Sequence, residues 1–200
     1  MAEIIATRGA ALALAEEKRF IETGYEFLDE KRMLLAATLL EELAAWRAAR
    51  HDYDEAMAAA VAALKAAIAR HGFEALARYP AGDGQGEGMA FASRNFLGLG
   101  LLEPPDATWH PPEPRPALDA SEAAESCRAA FAVLVPHALR VAARAANIRR
   151  LIAEYRATER RARALENVIL PETAASLAAI TESLDESDQE EALRIRNARR

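Results

Sequence analysis

Between Tyr25 and His71 the chain has neither glycine nor proline, and its apolar residues return at helical intervals. Leu14, Ile21, Leu28 and Leu35 recur every seven positions. Leu39, Leu43, Trp46, Tyr53, Met57, Leu64 and Ile68 continue at steps of three, four or seven. This spacing predicts one helix from residue 8 to about 71, with a seam for a partner helix. The double step of four from Leu35 to Leu39 to Leu43 is a slip in the heptad that loosens the supercoil locally. Lys18, Arg32 and Arg50 interrupt the seam. Gly24 lies inside it and costs about 1 kcal/mol relative to alanine; tolerance, with close approach of a partner helix, is the expected reason. His71-Gly72 reads as the stop.

The pattern then changes. A short helical piece to Arg78 is expected, before Tyr79-Pro80 and the alternating glycines of Gly82 to Gly88. Those glycines read as a turn. A phosphate loop would need Gly-Lys-Ser/Thr and a βαβ setting, and the chain has no such tripeptide. Met89 to Leu102 shows partial period-two spacing with two glycines, which predicts one or two short strands forming a small hairpin. Glu103 to Pro116 carries six prolines with Trp109 and His110, and reads as an extended linker.

A second helical run follows. Asp119 is the expected N-cap, with Glu122 as its capping-box partner. Pro136 predicts a kink or break. From His137 to Leu170 there is again neither glycine nor proline, and Ile148, Ile152, Tyr155, Leu165 and Ile169 give the returning seam. Pro171 predicts a second kink or a new segment, after which Leu177, Ile180, Leu184 and Ile195 continue the seam. The chain goes out, turns through an irregular middle, and comes back. Antiparallel pairing with the termini together then puts Leu14 near residues 180–192 and Leu28 near 166–178.

Composition narrows the class. Of 200 residues 49 are alanine, aromatics are 6% and charged residues 28%, the mixture of long helices rather than of a large core. The net charge of -6 argues against nucleic acid as a partner. The charge is uneven: Arg140 to Glu166 holds eight arginines against three acids, and Glu172 to Glu191 holds seven acids and no base. Cys127 is the lone cysteine, which fits a reducing compartment. No stretch reaches about 18 consecutive apolar residues, so no direct membrane span is expected. His51, His71, His110 and His137 are scattered without metal-ligand spacing, and no nucleophile motif occurs, so no metal, cofactor or active site is expected.

One stretch carries a family likeness. Thr158-Glu-Arg-Arg-Ala-Arg-Ala-Leu-Glu166, followed by Pro171, resembles the Thr-x-Arg-Arg-Val-Asn-Ala-Leu-Glu signature of the D subunit of the V-type (V/A-type) ATPases. Ala162 and Arg163 stand where the family has Val-Asn. Near the N-terminus, Thr7-Arg8, Leu12, Leu14, Gly24, Leu28, Lys31 and Arg32 fall on the same family's pattern without a gap. Ser93-Arg-Asn-Phe-Leu-Gly-Leu99 is similar to its Thr-Arg-Asn-Val-Met-Gly-Val step. The matches come in the family's order and cover nearly the whole chain.

The expected fold is mostly α: a long antiparallel two-helix coiled coil with a small β-hairpin or irregular head. Residues 1–72 form the first helix, 73–118 the head and 119–200 the returning helices. The resemblance implies a non-catalytic central-stalk rotor, cytoplasmic and peripheral to the membrane through its complex. Its implied partners are the catalytic A and B subunits of the ring, the F subunit of the stalk, and the socket subunit of the membrane rotor. Arg160, Arg161 and Arg163 are the candidate ring contacts, with a solvated helix face as the alternative reading. The coiled-coil seam is Leu14, Ile21, Leu28, Leu35, Leu165, Ile169 and Leu184. A non-rotary helical adaptor is the competing expectation, and an enzyme built on a helical bundle is a third.

Overall fold

The computed structural model describes residues 6–80, 91–104, 117 and 120–199. Helix α1 runs from Arg8 to His71 without a break. Thr7 caps it, its Oγ1 accepting the N–H of Ala10 at 3.1 Å. It ends where Gly72 takes a φ of 76°, open to glycine and costly for other residues. A short helix α2, Phe73–Ala77, follows. Strands β1, Ala92–Phe96, and β2, Leu99–Glu103, pair antiparallel with Phe96 opposite Leu99 and Ala92 opposite Glu103. Helix α3 covers Glu122–Ala164, a π-helical turn covers Leu165–Ile169, and helix α4 covers Leu170–Ala198. The chain is thus mostly α with a small two-stranded sheet in its middle.

The hairpin closes through Leu97 and Gly98, whose φ values of 51° and 85° are both positive. That is the turn whose twist matches a two-residue hairpin. Asn95 helps close it, its Oδ1 accepting the Gly98 N–H at 3.0 Å. Met89, Ala90 and the alternating glycines lie outside the described residues, as do Trp109, His110 and Asp119. Among the described residues the cap on α3 is Ser121, whose Oγ accepts the N–H of Ala124 at 3.2 Å.

The two prolines of the returning run behave differently. Pro136 does not end α3, which continues through it. A mid-helix proline costs about 3 kcal/mol. Burial of Leu134 and Ala143 on either side offsets that cost. At Pro171 the register does change. The missing N–H leaves the Asn167 carbonyl without its usual donor. The chain widens by one residue, and the Leu170 N–H bonds to the Leu165 carbonyl, five residues back.

The chain forms two compact units. One holds Met1–Leu35 and Tyr155–Arg200, the other Ala36–Glu154. In the first, Ile21, Leu35, Thr158, Ala162, Thr173 and Ile180 are buried. A Cβ built on Gly24 would sit 3.8 Å from Leu165 Cδ1, an ordinary contact. Gly24 therefore stands opposite Leu165, and antiparallel pairing takes Leu28 to lower numbers than the expected 166–178. In the second unit, Ala49, Ala60, Ala67, Ala124 and Ala143 are buried beside Leu101, Leu134 and Leu151. Alanine at these positions lets helix backbones approach closely.

The run Glu122–Ala198 contains an 18-residue window with a mean hydropathy of 1.3, enough by length and composition to cross a bilayer. Averaging over alanines lets it pass although no unbroken apolar run is present. Its most apolar part, about Ala129 to Ala146, also holds Arg140 and Arg144.

Gly24→Ala should raise stability by up to about 1 kcal/mol, because a Cβ fits and the helix gains propensity. Urea unfolding measures this, and a loss would mean the contact with Leu165 is closer. Pro171→Ala should return the turn at 165–169 to α spacing, seen as a newly protected amide at position 171 by NMR. Persistence of the π turn would assign it instead to the packing of Thr173 and Ile180.

Candidate interaction surface

The arginine-rich stretch divides by helical phase. Thr158 and Ala162, one turn apart, are buried, at 0% and 2% exposure. Arg160, Arg161 and Arg163 fall between and beyond them and are exposed. Arg163 donates to Glu159 at 2.7 Å. Arg160 and Arg161 make no ion pair among the described residues, so their guanidinium groups present charge to solvent. The departure at Ala162 thus falls on a packing position, and that at Arg163 on a surface one. The Thr158 Oγ1 is buried without a hydrogen-bond partner among the described residues.

The seam residues are placed unevenly. Ile21 and Leu35 are buried; Leu14, Leu28, Leu165 and Leu184 are half-buried. Ile169 is 38% exposed and Val168 49%. The extra residue of the π turn carries both off the buried face. The Tyr25 phenol donates to Glu166 in this turn, and the Glu166 charge, more than any other cause, pushes the phenol pKa above its ordinary value.

The second unit contains a polar group that the sequence did not single out. Glu42 lies on α1 at 3% exposure. Its Oε1 accepts from Arg144 Nη1 of α3 at 2.9 Å. Arg94 of β1 lies 3.8 Å from the same oxygen. One carboxylate therefore joins three elements, and it requires this charge because a buried anion without a partner is costly. Oε2 of Glu42 and Nε1 of Trp46, one helical turn on, are buried with no partner among the described residues.

Asn147 and Arg150 hold the hairpin from its other side. Asn147, 1% exposed, accepts from the Leu102 N–H at 2.7 Å and donates to the Leu102 carbonyl at 2.8 Å. Arg150 donates to the Gly100 carbonyl at 2.6 Å. These bonds satisfy the outer edge of β2 as a third strand would. The Arg94 and Asn95 of the family-like segment thus have local work, one beside Glu42 and the other closing the turn.

At the end of α1, His71 Nε2 lies 2.5 Å from Ser121 Oγ. Tyr79 donates to Glu125 at 2.9 Å, and Arg128 pairs with the same carboxylate. The Tyr79 bond, followed by Arg128, holds the Glu125 pKa below its ordinary value. Burial, followed by the bond to Glu125, pushes the Tyr79 phenol up. Cys127 is buried, and burial raises its thiol pKa. Among the described residues no His, Cys, Asp and Glu cluster could hold a metal ion.

Comparison with known proteins adds a consistent finding. A family model for the D subunit of ATP synthase matches residues 10–200. The V-type ATP synthase D subunit of Anaeromyxobacter sp. (strain Fw109-5) is 30% identical, over 96% of this chain and 91% of that protein. The V-type ATP synthase D subunit of Thermotoga neapolitana is 24% identical, over 95% of this chain and 94% of that protein. The A-type ATP synthase D subunit of Pyrococcus furiosus is 26% identical, over 95% and 90%.

The Glu42 group predicts an order of effects in urea unfolding. Arg144→Met leaves a buried carboxylate nearly alone and should cost about 3–5 kcal/mol. Glu42→Gln should cost less, about 1–3 kcal/mol, because both arginines can turn toward water. Arg94→Met, half-exposed and farther away, should cost under about 1 kcal/mol. Equal losses in all three would contradict the assignment of Arg144 as the main partner.

The Tyr79–Glu125 contact predicts a pH window. Glu125 has a lowered folded pKa, so its contribution is present above the ordinary value of 4.5 and lost as pH falls through the folded one. Tyr79 has a raised folded pKa, so its contribution is present below 10.0 and lost as pH rises through the folded one. The protection factor of the Tyr79 amide, its exchange rate divided into the intrinsic rate at each pH, should be highest between these limits. Tyr79→Phe should flatten the profile, and an unchanged profile would contradict the contact.

Proposed function

The chain belongs to the family of ATP synthase D subunits, and on that premise we propose that it is the central-stalk rotor shaft of a V-type ATP synthase/ATPase. It couples ATP synthesis or hydrolysis in the catalytic ring to ion transport across the membrane. The observation that carries this reading is the family match over residues 10–200. The antiparallel helix pairing within each unit is compatible with it: Arg8 meets Asp188 in one, and Glu42 meets Arg144 in the other.

The shaft is non-catalytic and works by shape and charge. Hydrolysis in the ring changes which A–B interface is closed. An asymmetric shaft held in that ring turns to follow. The ring must grip it in several orientations without holding one too tightly. Exposed charge sets orientation more readily than affinity, and Arg160, Arg161 and Arg163 supply it on one helix. The F subunit binds the side of the shaft, and the socket subunit of the membrane rotor receives the end near residues 72–118. The chain sits on the cytoplasmic side, peripheral to the membrane through the complex, with no span of its own; Arg144, inside the most apolar stretch, is committed to Glu42. A non-rotary helical adaptor is the alternative.

The test is a reversible link. With Cys127 replaced and assembly intact, a cysteine at Arg163 is disulfide-bonded to the ring. Multiple-turnover ATP hydrolysis should stop and return on reduction. Undiminished turnover with the link in place would reject the rotor and favour the adaptor.

A further inference from the structure

Helix α1 carries a second apolar stripe that its own seam does not use. Phe20, Phe27 and Leu34 lie seven residues apart and are 80%, 64% and 45% exposed. Phe20, Phe27 and Leu34 each precede a seam residue: Ile21, Leu28 and Leu35. One residue turns a helix by about 100°, so the stripe is a separate face rather than the edge of the buried one.

Singly exposed leucines need no explanation. Three large apolar side chains in line along about 20 Å of one helix do. Two are phenylalanines, which have no polar tip to place in water. The heptad spacing is the spacing a partner helix reads.

The border of the stripe selects the partner. Glu16, Glu17, Glu26 and Glu30 flank it, against Arg19 and Lys31. The balance is acidic. A second copy of this chain would bring acid against acid. An anionic bilayer or a nucleic acid would be repelled in the same way. A helix with an apolar stripe and basic flanks is matched on both counts.

We propose that the Phe20–Phe27–Leu34 stripe is a docking surface for an amphipathic, basic-flanked helix of another subunit of the ATP synthase complex. The proposal rests on family membership, which implies other subunits, and not on rotation.

The test uses the full chain with Cys127→Ala, carrying single cysteines at Phe20, Phe27 or Leu34. A cysteine at Ala15, exposed on the other side of the seam, is the control. Circular dichroism confirms that each variant keeps its helix content. In the isolated chain all four should react with a maleimide at similar rates. In the co-expressed, ATPase-active complex the three stripe positions should slow by about tenfold or more, while Ala15→Cys stays within about twofold. A photoreactive phenylalanine analogue at position 27 should then form its adduct on a lysine- or arginine-flanked helix of a different subunit.

Unchanged labelling of the stripe in the complex would overturn the proposal. So would equal protection at Ala15, which reports general enclosure, or an adduct on a second copy, on lipid or on an acid-flanked helix. The two readings fail separately. A protected stripe in a complex whose turnover ignores the ring link removes the rotor alone. An unprotected stripe in a complex stopped by that link removes the docking surface alone.

Discussion

A carboxylate at 3% exposure has to be neutralised, and Glu42 recruits its charge from the hairpin and from α3. The second unit depends on that constraint. Arg144 ties α3 to α1 at one level. Asn147, about one turn on, takes both backbone groups of Leu102. The sheet has only two short strands, and such a hairpin is marginal alone. Its stability comes from side chains of α3 acting as its missing neighbour and from the fully buried Leu101.

A different economy governs the helix pairs. Many buried positions are alanine, so backbones come close and little volume is enclosed. Large apolar residues then have few places to go. Phe20, Phe27 and Leu40 end up in solvent, while Leu35 and Leu151 take the available interior. Helices that bury small residues and expose large ones suit work inside an assembly, where other subunits supply the remaining surface.

Much of this was legible in the sequence because local chemistry decided it. The helix expected from residue 8 to about 71 is α1, and its expected stop falls at Gly72, which takes a positive φ. Period-two spacing with Gly98 marked the hairpin. The rest depended on tertiary context. Glu42 reads as a surface acid until Arg144 and Arg94 are placed around it. Pro136 reads as a breaker, yet packing on both sides carries α3 through it. Pro171 signalled a disturbance, but not that a π turn would turn Val168 and Ile169 outward. In the arginine-rich stretch the basic residues drew attention, while the buried members are Thr158 and Ala162. Periodicity finds faces; it does not say which of two apolar faces is covered. Here the Leu14–Leu35 spacing and the Phe20–Leu34 spacing are the same, and their fates differ.

The proposed rotor turns as a body within the catalytic ring of its complex. Direct observation tests it: the ring is fixed to a surface, and a gold particle is attached through a cysteine at Phe73, an exposed residue beyond the end of α1, with Cys127 replaced. A rotor should step in one direction when ATP is added and stop when ATP is removed. A complex that hydrolyses ATP while the particle shows only undirected fluctuation would contradict it.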